Sequence, residues 1–186
     1  MKNLLSIFIL LSILSTTSYS EEKYTEVTRD KVPQGKVVEH TNWPGKYTKI
    51  IAVTYDYSVG KREENSFSTV AKDGKLHKGI YRTSKPLTEE QTKKLFSCIT
   101  GKHKPLLAAA CFEPHHGFIF YDKANKIVAH ISICFMCHNH SFSPEGELSD
   151  HWDRQELKKL LKDLKMPIHK KPGDYTKEYL KEKGKP

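Results

Sequence analysis

The sequence predicts a single-domain α+β fold: one antiparallel sheet, made of a meander plus a second hairpin, with two main helices packed on it. Three observations carry this expectation. Strand-like runs fall into two groups, within 47–82 and 118–133, and each group is followed by a helical pattern. Each group also contains a turn signal short enough for a hairpin: Asp73-Gly74 in the first, and the five residues from Asp122 to Lys126 in the second. Finally, both helical stretches carry an apolar face at three- and four-residue spacing. Strands, helix, strands, helix is the order of an antiparallel sheet with helices on one face.

Residues 1–20 read as a secretory signal peptide. Lys2 is followed by an apolar run from Leu4 to Leu14 and a small-residue stretch to Ser20, where Ser18-Tyr19-Ser20 suits signal peptidase. The run of eleven residues is too short to cross a hydrocarbon core, which needs about 20. Cleavage would leave a chain starting near Glu21, periplasmic or secreted, with no later segment able to span a membrane. Its length suits one domain with a real core.

Residues 21–46, with Pro33, Gly35, Pro44 and Gly45, read as an irregular lead-in, with Trp43 packing on the domain edge. The α+β domain is expected over 47–168. Tyr47 to Tyr57 is rich in β-branched and aromatic residues, and Ile51, Val53, Tyr55 and Tyr57 alternate onto one face. Ser66 to Ala71 and Lys75 to Lys78 flank Asp73-Gly74, so 47–82 is expected to be a three-stranded meander. Thr88 and Gln91 form a capping box for a helix that carries Leu95, Phe96 and Ile99 and stops at Gly101. Cys98 lies beside that face, where a buried inert thiol is expected. Phe118 to Tyr121 and Ile127 to Ile133 make the second hairpin. A last helix from about Asp150 to Leu164 carries Trp152, Leu157, Leu160, Leu161 and Leu164 and ends before Pro167. Residues 169–186 are expected to be a mobile basic tail, with a short helix after Asp174 as the one element they could form.

The whole chain carries +9 at neutral pH. A soluble basic surface accounts for this, and no specific nucleic-acid motif accompanies the charge. Four cysteines, all after residue 97, meet oxidising conditions on export, and four allow three complete pairings.

Three of these cysteines belong to a Cys/His cluster between Cys111 and His140. If Tyr121 pairs with Ile127, paired residues sum to 248, which sets Pro114 opposite Cys134 and Cys111 opposite Cys137. On that register Cys111, His115, Ile119, Ile131, Ile133 and Cys137 share one face. His116, Phe118, Phe120, His130, Ser132 and Cys134 share the other. Four chemistries compete. The metal reading takes zinc or copper on Cys111, Cys134, Cys137 and one of His115, His116, His138 or His140. The disulfide reading bridges Cys111 to Cys137, closing a 27-residue loop worth about 3 kcal/mol. The haem reading uses Cys134-x-x-Cys137-His138 as a c-type attachment motif, with His138 as proximal ligand. The fourth is thiol–disulfide exchange at Cys134 and Cys137. A Cys–His hydrolase can also be drawn from Cys111, His115 or His116 and Glu113. No local signature supports it, so the reading favours a protein that is not a classical enzyme.

The string CFEPHHGFIFYDKANKIVAHISICFMC resembles a largely uncharacterised family of small exported bacterial proteins, whose pattern is Cys-x-Pro-His/Arg, a hairpin, then Cys-Phe-x-Cys. The resemblance covers roughly Ile50 to Leu164 and falls on Cys111, Pro114, His115, Cys134, Phe135 and Cys137. It implies export and a cysteine site, and brings no established activity. The family pattern does not require a His after the second Cys of the pair, which weighs against haem. The sequence is therefore expected to encode an exported protein whose Cys/His cluster binds a transition metal or acts as a redox-sensitive thiol site. The alternatives are a c-type haem protein or a disulfide-stabilised binding module.

Overall fold

A computed structural model describes residues 43–62, 68–146 and 148–183. The segment expected to be a signal peptide and most of the lead-in lie outside the described residues. The architecture is α+β, as expected. Strands β1 (Lys49–Tyr55), β4 (Ile80–Thr83), β5 (His116–Tyr121), β6 (Ile127–Cys134) and β7 (Asn139–Ser143) form one antiparallel sheet in the order β4-β1-β5-β6-β7. Strands β2 (Ala71–Lys72) and β3 (Lys75–Leu76) form a separate two-stranded sheet. The helices are α1 (Glu89–Thr100), α2 (Arg154–Asp163) and α3 (Pro172–Lys183). No described helix is long and apolar enough to cross a membrane.

Local signals formed where the residues demanded them. Asp73 and Gly74 both take positive φ, 50° and 72°, as a two-residue hairpin turn requires. The Thr88 hydroxyl accepts the Gln91 amide at 3.2 Å, and the Gln91 side chain accepts the Thr88 amide at 2.9 Å, completing the capping box of α1. Asp153 caps α2 by accepting the amides of Gln155 and Glu156.

The expected meander is not formed. Both edges of β1 are taken, by β4 and by β5, so the β2–β3 hairpin has no place in the main sheet. It folds over one face instead, where Val70 and Ala71 cover Tyr55 and Ile119, and the Val70 amide donates to Ser132 Oγ at 2.7 Å. Gly117 makes this close approach possible. A Cβ there would lie 2.6 Å from the Ile131 carbonyl and 2.9 Å from Val70.

The second correction concerns register. Tyr121 pairs with Ile127 as expected, but Phe120 pairs with Ala129, so Val128 is an extra residue in β6. From there on, paired residues sum to 249. A one-residue slip exchanges the faces of a strand, so Ile131 and Ile133 join Phe118, Phe120 and His116, and the expected face assignment of β6 is reversed. Packing explains the choice. The bulge gathers Ile50, Ala52, Phe118, Phe120, Ala129, Ile131 and Ile133 into one apolar face. That face is buried under Leu95 and Ile99 of α1 and Leu157, Leu160 and Leu161 of α2. Trp43 belongs to this core rather than to its edge, stacking edge-on against Phe120 and donating its indole N–H to the Pro144 carbonyl at 2.8 Å.

The third correction concerns the tail. Residues 172–183 form α3 and pack against β4, with Tyr175 buried. Glu178 accepts hydrogen bonds from Tyr81 Oη at 3.2 Å and Arg82 Nη2 at 2.8 Å, which anchors the helix to that edge strand.

Candidate functional site

The cysteine cluster is built around the connection between β6 and β7. Strand β6 ends at Cys134. Residues 135–138 turn the chain, with His138 at φ 50°, and β7 begins at Asn139. A disulfide joins Cys134 to Cys137 across this turn, with Cα atoms 5.7 Å apart. The Cys137 amide donates to Cys134 Sγ at 3.3 Å. Both cysteines are buried, whereas Met136 at the tip of the turn is exposed. Phe135 turns inward, against the edge of His116 and beneath Lys158.

The segment between α1 and β5 runs alongside this turn. The Ala109 amide donates to the Cys137 carbonyl at 2.9 Å, His138 Nδ1 meets the Leu107 carbonyl at 3.2 Å, and Asn139 Nδ2 donates to the Cys111 carbonyl at 3.5 Å. Cys111 itself is a free, exposed cysteine. The Cys111–Cys137 bridge weighed from the sequence is therefore corrected to Cys134–Cys137. Pro114 has no amide to give a ladder, and β5 starts only at His116, so Cys111 lies on an irregular strap beside the turn and not in register across from Cys137. Cys98 is free and buried in α1, as expected, and burial pushes its thiol up to about 11.

The histidines are dealt out to different surroundings. His115 and His116 are consecutive and meet different backbone carbonyls. His115 Nδ1 meets the Tyr55 carbonyl at 3.0 Å, and its ring stacks on Tyr175 with centroids 3.8 Å apart. Burial lowers its pKa, and its buried Nε2 has no hydrogen-bond partner among the described residues. Tyr57 closes on the same ring edge-on at 5.2 Å. Burial first, and then neighbouring Glu113, push the Tyr57 phenol up to about 12. His116 lies on the helix-covered face, where Nε2 meets the Pro167 carbonyl at 2.7 Å and burial brings its pKa down to about 3. His140 stacks on Trp152 at 3.8 Å, and Nδ1 accepts from Arg154 Nη2 at 3.0 Å. Burial, reinforced by Arg154, lowers His140 to about 4.

The six candidate ligands are thus not gathered at one centre. Among the described residues, no group of three or more His, Cys, Asp or Glu side chains is disposed to hold a metal ion. The haem arrangement would need the sulfurs of Cys134 and Cys137 as thioethers. In this structure they are bonded to each other.

Sequence reasoning missed β7, Tyr175 and Arg154. A signal existed for Arg154. A basic residue at the first position of a helix opposes the macrodipole, so something other than helix formation holds it there. No signal existed for the contact of Tyr175 with His115, which are 60 residues apart in the chain. No family model, curated protein or solved structure matches the chain.

Proposed function

We propose that this is an exported protein whose working element is the Cys134–Cys137 pair, acting as a redox-sensitive thiol–disulfide site. One observation carries the reading: a Cys-x-x-Cys disulfide closes a hairpin turn beside a strap that holds an exposed free thiol, Cys111. A disulfide spanning so short a loop restrains the unfolded chain by only about 2 kcal/mol, so stabilisation is a weak reason for its presence. The Cys137 amide aimed at Cys134 Sγ would favour the thiolate at Cys134 once the bond is reduced. Reduction by a dithiol cleaves the S–S bond. It leaves Cys134 and Cys137 as thiols and converts the donor to its own disulfide, two electrons and two protons passing between them.

Thiol counting with a maleimide mass tag tests this. The oxidised protein, denatured before labelling, is expected to take two tags, at Cys98 and Cys111. Protein treated with excess dithiothreitol in native buffer is expected to take four after denaturation. A pair that resists the dithiol until denaturant is added would be structural, and the reading would fail.

A second reading, zinc or copper on the reduced site, draws on the hydrogen bonds that tie the strap of Cys111 to the turn. Reduced protein is then expected to compete with a chromogenic chelator for one zinc per chain, and Cys111→Ser to weaken that binding at least about tenfold, as loss of a thiolate ligand should. Equal retention by wild type and Cys111→Ser would remove Cys111 from the site. A reduced protein that takes no zinc or copper would end the metal reading.

A further inference from the structure

Arg154 is a buried guanidinium at the first position of α2, and each of its described partners is neutral. Nη2 donates to the His138 carbonyl at 2.7 Å and to His140 Nδ1 at 3.0 Å, and Nη1 lies 3.4 Å from the Asn139 carbonyl. A guanidinium has five N–H donors, so these contacts leave two without a described protein partner. Burial brings its pKa down to about 10, which leaves it charged at neutral pH. A buried charge ordinarily has an ionic counterpart, because desolvation is costly without one.

The group borders a cavity of about 160 Å³ between the strap after α1, the β6–β7 turn and the start of α2. Lys104, His138, His140 and Trp152 line it as well, and Asp150 at its rim is exposed and forms no described ion pair with Arg154. Because His140 Nδ1 accepts from Arg154, its proton sits on Nε2, which makes that nitrogen a donor. The cavity therefore combines a desolvated cation, a second cation in Lys104 and an aromatic wall in Trp152. It is also small.

We propose that this cavity binds a small oxyanion-bearing ligand, a carboxylate or a phosphate, with the Arg154 guanidinium as its principal contact and Lys104 as the second cation. The proposal is independent of the redox reading, since it concerns charge placement on α2 and not the state of the cysteines.

The test uses Trp152, which lines the cavity, as reporter. Inorganic phosphate and succinate are titrated separately into the full-length protein against chloride at matched ionic strength, with intrinsic fluorescence and thermal midpoint as readouts. A saturable response to one of them below about 10 mM is expected, and the ion that saturates identifies which oxyanion the site takes. Arg154→Met should weaken binding at least about tenfold, as removal of a charge-assisted contact does. Lys104→Ala, at an exposed position that spares the fold, should weaken it by a smaller factor and covers the case in which Arg154→Met does not fold. Responses no larger than chloride's for both ions would overturn the proposal, as would unchanged binding by folded Arg154→Met or by Lys104→Ala.

Discussion

Moving the protein from pH 7 to pH 4.5 is expected to cost about 2–3 kcal/mol of stability through His116 alone. This imidazole is buried against the Pro167 carbonyl on the helix-covered face, and burial brings its pKa from 6.5 to about 3. The unfolded chain takes up a proton near pH 6.5 and the folded chain only near pH 3. Between those values the unfolded state binds more protons, so stability is complete above pH 6.5 and falls by about 1.4 kcal/mol per unit as pH drops, levelling off near pH 3. His140, lowered to about 4, acts in the same direction, as do His115 and His130, both lowered by burial. Urea unfolding at the two pH values measures the effect. His116→Gln, which keeps an amide donor for the Pro167 carbonyl, should show a shallower pH slope than the wild type. A urea midpoint equal at pH 7 and 4.5 would mean that His116 is not held neutral in the fold.

Tyr175→Ala is expected to destabilise the protein by about 3 kcal/mol, in the range for deleting a buried aromatic ring. Tyr175 is the residue through which α3 enters the core. Its ring lies flat on His115 at 3.8 Å and edge-on to His116 at 5.5 Å and His169 at 4.7 Å, and its hydroxyl accepts the His169 amide at 3.0 Å. Removing it opens His115 to water, so the His115 pKa should rise toward its ordinary value. Chemical denaturation gives the stability, and NMR titration of the imidazole gives the pKa. A loss below about 1 kcal/mol, with His115 titrating as before, would return the C-terminal segment to the status of a surface tail.

Much of the fold was legible because its signals are local. A capping box depends on two residues three apart, and Thr88 and Gln91 are sufficient to announce it. Asp73-Gly74 needs only its own tolerance of positive φ. The loop from Asp122 to Lys126 places a hairpin by its length. The amphipathic stripe of Leu157, Leu160 and Leu161 declares which side of α2 faces the sheet. For the candidate site, the spacing of Cys134 and Cys137 marked the position, and the return of the hairpin correctly suggested that the chain around Cys111 comes back beside them.

Tertiary structure decided the rest. The bulge at Val128 is invisible in the hairpin itself, because both registers keep Tyr121 opposite Ile127. Only the helices, by demanding one continuous apolar surface, favour the slip that puts Ile131 and Ile133 beneath them. The disulfide partner was likewise not legible, since Cys111 lies on an irregular strap while Cys134 and Cys137 are closed into one turn. The roles of Tyr175 and Arg154 arise from contacts with residues far away or across a turn, whose energy comes from burial in the assembled fold. The sequence by itself thus determined most of the elements, though not β7, and where the cysteines are concentrated. The faces, the bonding partners and the burial of Arg154 were settled by how those elements bury one another.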